Sequence, residues 1–169
     1  MPNVSLPTVY LETSVISYLT ARLSRDLIRA ARQQLTRRLW EDHRNDYHFV
    51  TSRLVEKEAA AGNVREAAKR LEVVAATEMI RVPREAQRLA RAIMQNSNLP
   101  PKALNDAGHV AIAAVNGIEY LTTWNLRHLA NVTIRRTIEE TCRKNGYATP
   151  LICTPDQLIG GEGEDEFDT

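Results

Sequence analysis

Cysteine is scarce in this chain: 2 in 169 residues, Cys142 and Cys153, neither of them in a paired Cys or Cys/His cluster. That argues against a zinc site and against a scaffold held by disulfides. Glycine and proline number only 7 each, too few for a collagen-like or low-complexity chain. No apolar run approaches the ~20 residues of a membrane span. Met1 to Pro7 has neither a basic start nor an apolar segment, so no secretory signal is read and a cytoplasmic location without membrane attachment is expected. What remains is ordinary for a globular protein, with 43% hydrophobic and 25% charged residues, and the length suits one domain.

Charge is nearly balanced at +1, but unevenly distributed. Glu162, Glu164, Asp165, Glu166 and Asp168 crowd the last ten residues with no Lys or Arg among them; without those five acids the rest of the chain would carry +6. A domain over residues 1–159 followed by an acidic, disordered tail over 160–169 is therefore expected, because the tail has too little apolar content to offset its ordering entropy. A basic body of this kind is compatible with a polyanionic partner.

Hydrophobic periodicity alternates along the body. Thr8-Val9-Tyr10-Leu11-Glu12 reads as a buried strand, with Thr13-Ser14 placed to cap the helix that follows. Ser24 is the expected cap of a long amphipathic helix reaching about Asn45, in which Leu27, Ile28, Ala31, Leu35 and Leu39 recur at helical spacing. Further strands are expected over residues 47–51, 79–82, 120–123 and 151–153, and further helices from Ser52 to Gly62, then over 65–76, 83–95, 103–115 and 132–145, with a last start at Thr154-Pro155. Strands separated by helices throughout imply an α/β sandwich, a parallel sheet covered on both faces.

In such a sheet the polar residues just beyond the strand ends are the ones to collect. Glu12 ends the first strand, Glu58 lies on the helix after the second, Asp106 starts an otherwise apolar helix, and Asn125 follows the strand at 120–123. Oxygen donors from separated segments, with open positions left for water and phosphate, suit Mg²⁺ or Mn²⁺.

Four segments carry a resemblance. Val9-Tyr10-Leu11-Glu12-Thr13-Ser14, Ser52-Arg53-Leu54-Val55-Glu56-Lys57-Glu58, Asp106-Ala107-Gly108-His109-Val110-Ala111 and Tyr120-Leu121-Thr122-Thr123-Trp124-Asn125 together resemble the PIN-domain nucleases, particularly the VapC-like toxin ribonucleases of toxin–antitoxin pairs. The resemblance covers residues 8–156 and implies a PIN-like three-layer sandwich. It also implies metal-dependent hydrolysis of RNA, leaving 5′-phosphate and 3′-hydroxyl ends, with Mg²⁺ or Mn²⁺ held by Glu12, Glu58 and Asp106. By the same resemblance Asn125 is a ligand through water or a substrate-orienting group, and Thr13 and Ser14 supply hydroxyl or backbone groups beside the metal and substrate. A small antitoxin is the implied partner, and surplus apolar residues on the long helix, Leu27, Ile28 and Trp40, favour that contact or a homodimer. Two positions depart from the family's usual pattern: Glu12 stands where Asp is more usual, and Asn125 where a fourth acid often sits, so the site loses one negative charge and is expected to bind metal more weakly or as a single ion. That departure sustains an alternative function, a weakened PIN-like module that binds RNA or protein without cutting.

Other readings stay open at this level. Glu56 competes with Glu58 as the ligand, and Asn125 can equally cap a turn. His109, one helical turn from Asp106, reads as a packed or hydrogen-bonded core residue. Trp124 reads as packing before base stacking. Lys102, Arg127 with its neighbours His128, Arg135 and Arg136, and the row Arg25, Arg29, Arg32 are candidate phosphate contacts.

Overall fold

A computed structural model describes residues 5–125, 127–129 and 131–160; residues 161–169, and with them the acidic tail beyond Gly160, lie outside the described residues. The strands are β1 (Thr8–Leu11), β2 (His48–Ser52), β3 (Glu78–Ile80), β4 (Tyr120–Thr122) and β5 (Leu151–Cys153). The helices are α1 (Thr13–Thr20), α2 (Leu27–Asp42), α3 (Arg53–Ala59), α4 (Val64–Ala75), α5 (Arg84–Asn96), α6 (Leu104–Val115), α7 (Val132–Lys144) and α8 (Pro155–Ile159). Every expected strand and helix is present, with shifted ends. Local side chains explain the shifts: α2 is capped by Asp26, whose Oδ1 accepts from Arg29 N at 2.8 Å, and not by Ser24, whose hydroxyl oxygen accepts from Asp26 N. Likewise α1 is capped by Glu12 and not by Thr13 or Ser14.

All five strands are parallel, in the order β3-β2-β1-β4-β5. The chain therefore builds outward from β1 in one direction, returns across the sheet after β3, and builds outward again on the other side. Right-handed crossovers then place the helices before β3 on one face and α5, α6 and α7 on the other, and the packing agrees: α5 packs on α6 and α7, while α1 packs on α2 and α4. The reversal puts a crevice at the carboxyl ends of β1 and β4, which is where such sheets build their sites. Val9 and Tyr10 of β1 and Leu121 of β4 are fully buried in the strands that lead to it. Among the described residues no helix is long and apolar enough to cross a membrane.

Two packing features bring the later segments to that crevice. Trp124, just past β4, is only 8% exposed; its indole N–H donates to Thr36 Oγ1 on α2 at 2.8 Å and its ring lies 5.9 Å from that of Tyr18 on α1. It is a packing residue, as read from the sequence. On the opposite side α6 meets α3 at Gly108, where a Cβ would lie 2.9 Å from Leu54 Cδ2, so that a larger residue would require the Leu54 side chain to turn away. Gly108→Val is expected to destabilise the fold by about 1–3 kcal/mol through overpacking. Thermal denaturation should show that loss partly relieved in the Gly108→Val/Leu54→Ala double variant, because the shortened side chain makes room.

Candidate metal centre at the ends of β1 and β4

The first carboxylate is placed by strand register. Leu11 pairs with Thr122, so the next residues, Glu12 and Thr123, leave the sheet side by side. Glu12 is 5% exposed, and a carboxylate so buried needs donors. Its Oε2 accepts from Ser14 N at 3.0 Å, from the Ser14 hydroxyl, and from Thr123 Oγ1 at 2.8 Å. The carboxylate thus caps α1, where the helix dipole also favours its charge. Oε1 is left facing His109 Nε2 at 3.9 Å.

The second is placed by α3 and held by α6. Ser52 caps α3, its Oγ accepting from Val55 N, and the helix presents Glu58 near its end. Glu58 Oε1 accepts from Thr13 Oγ1 at 2.7 Å and from His109 Nε2 at 2.6 Å, while Oε2 accepts from Asn105 Nδ2 at 3.3 Å. Asn105 and His109 are four apart on α6, so one helical face grips both oxygens. Burial alone would raise the Glu58 pKa, but the hydrogen bond and the charge interaction with His109, followed by the bonds donated by Thr13 and Asn105, outweigh it and hold the carboxyl below its usual range. Between the two acids of α3, Glu58 is thus the one that meets the other site residues.

His109 is fully buried and belongs to a chain of bonds through the core. Its Nδ1 lies 2.7 Å from Tyr10 OH, and that phenol lies 2.7 Å from Ser52 Oγ. Every hydrogen finds an acceptor if Val55 N–H donates to Ser52, Ser52 to Tyr10, Tyr10 to His109 Nδ1, and His109 Nε2–H to Glu58. Burial pushes the Tyr10 phenol far above its usual range, so it remains a hydroxyl and can serve this chain. His109 is the hydrogen-bonded core residue read from the sequence, but its bonds run to the site.

Glu12, Glu58 and His109 bring donor atoms within 4.8 Å of one another. Asp106 stands outside that group. It lies in the first turn of α6, and its Oδ2 lies 2.8 Å from His128 Nδ1. The remaining candidates are dispersed. Thr13 and Ser14 direct their hydroxyl protons to Glu58 and Glu12, so they orient carboxylates where a substrate or water-shell contact was expected. Asn125 forms a turn: its N–H donates to Thr123 Oγ1 at 2.9 Å and its Oδ1 accepts from His128 N at 3.4 Å. Lys102, in a short 3-10 turn before α6, and Arg127, in the segment after β4, are both exposed. Arg32 lies with its guanidinium 5.4 Å from the Trp124 ring centroid, and Arg29 6.0 Å from that of Tyr18.

As a donor set this fits a hard divalent cation. Each carboxylate has an oxygen engaged by the protein, and the carboxylates of the group suit an ion that prefers oxygen and keeps several waters. His109 suits the role of support better than of ligand, because the nitrogen facing the carboxylates carries the proton it donates to Glu58. Sequence reasoning passed over Asn105, Tyr10 and Thr123 as parts of the site. The spacing of Asn105 to His109 was visible; the position of Thr123 opposite Glu12 depends on strand pairing. Tyr10→Phe, which leaves the Ser52 hydroxyl and His109 Nδ1 without their partner in the core, is expected to cost about 1–3 kcal/mol, read as a lowered thermal midpoint.

Comparison with known proteins places this geometry in a family. No curated protein sequence matches the chain. Among solved structures, VapC20 of Mycobacterium tuberculosis, a toxin that cleaves the sarcin–ricin loop, is similar at 17% identity and a TM-score of 0.56, over 70% of this chain and 91% of that one. VapBC2 of Rickettsia felis, solved bound to a DNA fragment from its promoter, is similar at 13% identity and a TM-score of 0.53, over 73% of this chain and 91% of that one. At those identities the likeness is one of fold. A family model for the PIN domain matches residues 9–132, from within β1 to the first residue of α7, and so takes in the segments that carry Glu12, Glu58, Asp106 and Asn125: this chain belongs to the PIN domain family.

Proposed function

We propose that the protein is a Mg²⁺- or Mn²⁺-dependent endoribonuclease, the toxin component of a toxin–antitoxin pair, acting in the cytoplasm from a single domain over residues 1–159. The observation that carries this reading is the way the carboxylates are held. Glu12 and Glu58 are fixed by donors from α1, α6 and the β4 exit, at a distance from each other that a shared cation would relieve. Two buried or half-buried acids so close repel in the absence of a cation, and α6 adds a third, Asp106, at the same end of the sheet. A PIN domain with this set is a reasonable nuclease.

Glu12, Glu58 and Asp106 would hold the ion. A bound ion would supply Lewis-acid chemistry there, for hydrolysis of a phosphodiester by water with 5′-phosphate and 3′-hydroxyl ends. The chain's own residues orient that chemistry. Ser14 and Thr123 keep Glu12 in place, Thr13, Asn105 and His109 keep Glu58 in place, and Lys102 and Arg127, both exposed and close in sequence to Asp106 and Asn125, are the candidate phosphate contacts. Arg29 and Arg32 extend the basic surface along α2.

The partner surface is proposed at the start of α2, where Leu23, Leu27 and Ile28 are 50%, 85% and 67% exposed. Apolar side chains this exposed and adjacent suit a second copy or an antitoxin. Light scattering at high concentration should give a dimer mass for the wild type and a monomer for Leu27→Glu/Ile28→Glu; a monomeric wild type would leave the antitoxin as the partner.

Single-stranded and structured RNAs incubated with Mn²⁺ are expected to be cut, with EDTA abolishing the reaction and Asp106→Asn lowering it by at least about a hundredfold. A second reading, a module that binds RNA without cutting, is favoured by the engagement of Asn125 in its turn. Its mark would be RNA binding with no cleavage under any metal.

A further inference from the structure

We propose that His128 is the positioning residue of Asp106, and that Asn125 serves the site as the turn residue that delivers His128, not as a ligand. This inference rests on the reading that Asp106 holds a divalent cation. Asp106 lies in the first turn of α6 with its side chain 15% exposed, and an aspartate there can rotate about its terminal torsion unless one oxygen is held. His128 Nδ1 is 2.8 Å from Oδ2 and equally enclosed. A carboxylate only accepts, so the shared hydrogen belongs to Nδ1, and this holds for a neutral and a protonated ring alike. With Oδ2 pinned, Oδ1 is the oxygen left to face the site.

The segment that carries His128 is anchored on both sides. Upstream, Trp124 is locked by its indole bond to Thr36 and by its backbone N–H, which donates to Ser14 Oγ at 2.9 Å. Downstream, Leu129 is fully buried and its N–H donates to the Asn125 carbonyl at 3.3 Å. Between them Asn125 accepts from His128 N, and its own N–H reaches Thr123 Oγ1, the hydroxyl that donates to Glu12. A continuous hydrogen-bonded path thus joins Glu12 to Asp106 along the exit of β4. Partners of this kind hold a ligand's orientation, and their loss typically lowers metal affinity about 10- to 100-fold.

The test is Mn²⁺ calorimetry on the full chain, with thermal denaturation of the metal-free protein and binding of a short RNA in EDTA, for wild type, His128→Ala, His128→Asn and Asp106→Asn. Expected are Mn²⁺ binding by wild type, a loss of about 10- to 100-fold in His128→Ala, and recovery to within about threefold in His128→Asn, whose amide N–H can occupy the place of Nδ1–H. Wild-type affinity retained in His128→Ala, or no recovery in His128→Asn, would overturn the proposal. So would a variant whose defect is confined to RNA binding in EDTA, which would make His128 a phosphate contact. Failure of the wild type itself to bind Mn²⁺, or of Asp106→Asn to weaken it, would instead overturn the metal-centre reading beneath the proposal.

Discussion

Burial of Glu12 next to a second carboxylate is the constraint around which this end of the molecule is organised. A carboxylate 5% exposed keeps its charge only if donors surround it, and no single element can supply them all. Ser14 comes from the first turn of α1, Thr123 from the end of β4, and the grip on the neighbouring Glu58 from Thr13 and from Asn105 and His109 of α6. The strand order makes this possible, because β1 is central and the chain crosses to its other side only after β3. Segments far apart in sequence therefore end at one crevice.

The donors fall into a pattern. Glu12 is held through Oε2 and Asp106 through Oδ2, while Glu58 is held at both oxygens, from α6 by Asn105 and His109, one helical turn apart, and from α1 by Thr13. The arrangement is stiff because its supports are themselves satisfied, from Val55 N–H through Ser52 and Tyr10 to His109. Stiffness of this kind holds the two carboxylates beside one another, above a core in which Val9, Leu121 and Val110 are buried.

The β4 exit has a double role. Trp124 closes the core between α1 and α2, and the turn that follows hangs from it, so a packing residue and a polar turn together set where His128 and Arg127 stand. Asn125, at the place where a fourth acid is expected from the resemblance, is occupied in that turn. The loss of a negative charge and the presence of His128 beside Asp106 are thus two aspects of one local geometry.

The alternation of strand and helix was legible in the sequence, because apolar periodicity and breakers such as Asn116-Gly117 act over a few residues. Glu12, Glu58 and Asp106 stood out as candidates, acids placed just past strands or at a helix start, and the structure brings Glu12 and Glu58 into one group. The caps were misjudged at Ser24 and at Thr13-Ser14 because Asp26 and Glu12 compete for the same amides, a contest settled by local backbone geometry. The partners of the acids could not be read at all. That Thr123 meets Glu12 follows from the pairing of Leu11 with Thr122, that Asn105 and His109 grip Glu58 follows from the packing of α6 against α3, and that His128 meets Asp106 follows from the turn hung on Trp124. By itself the sequence determined the elements and singled out the acids as candidates, which depend on near neighbours along the chain; the tertiary structure alone decided which donors hold each acid, because that depends on register and packing between residues up to 111 positions apart.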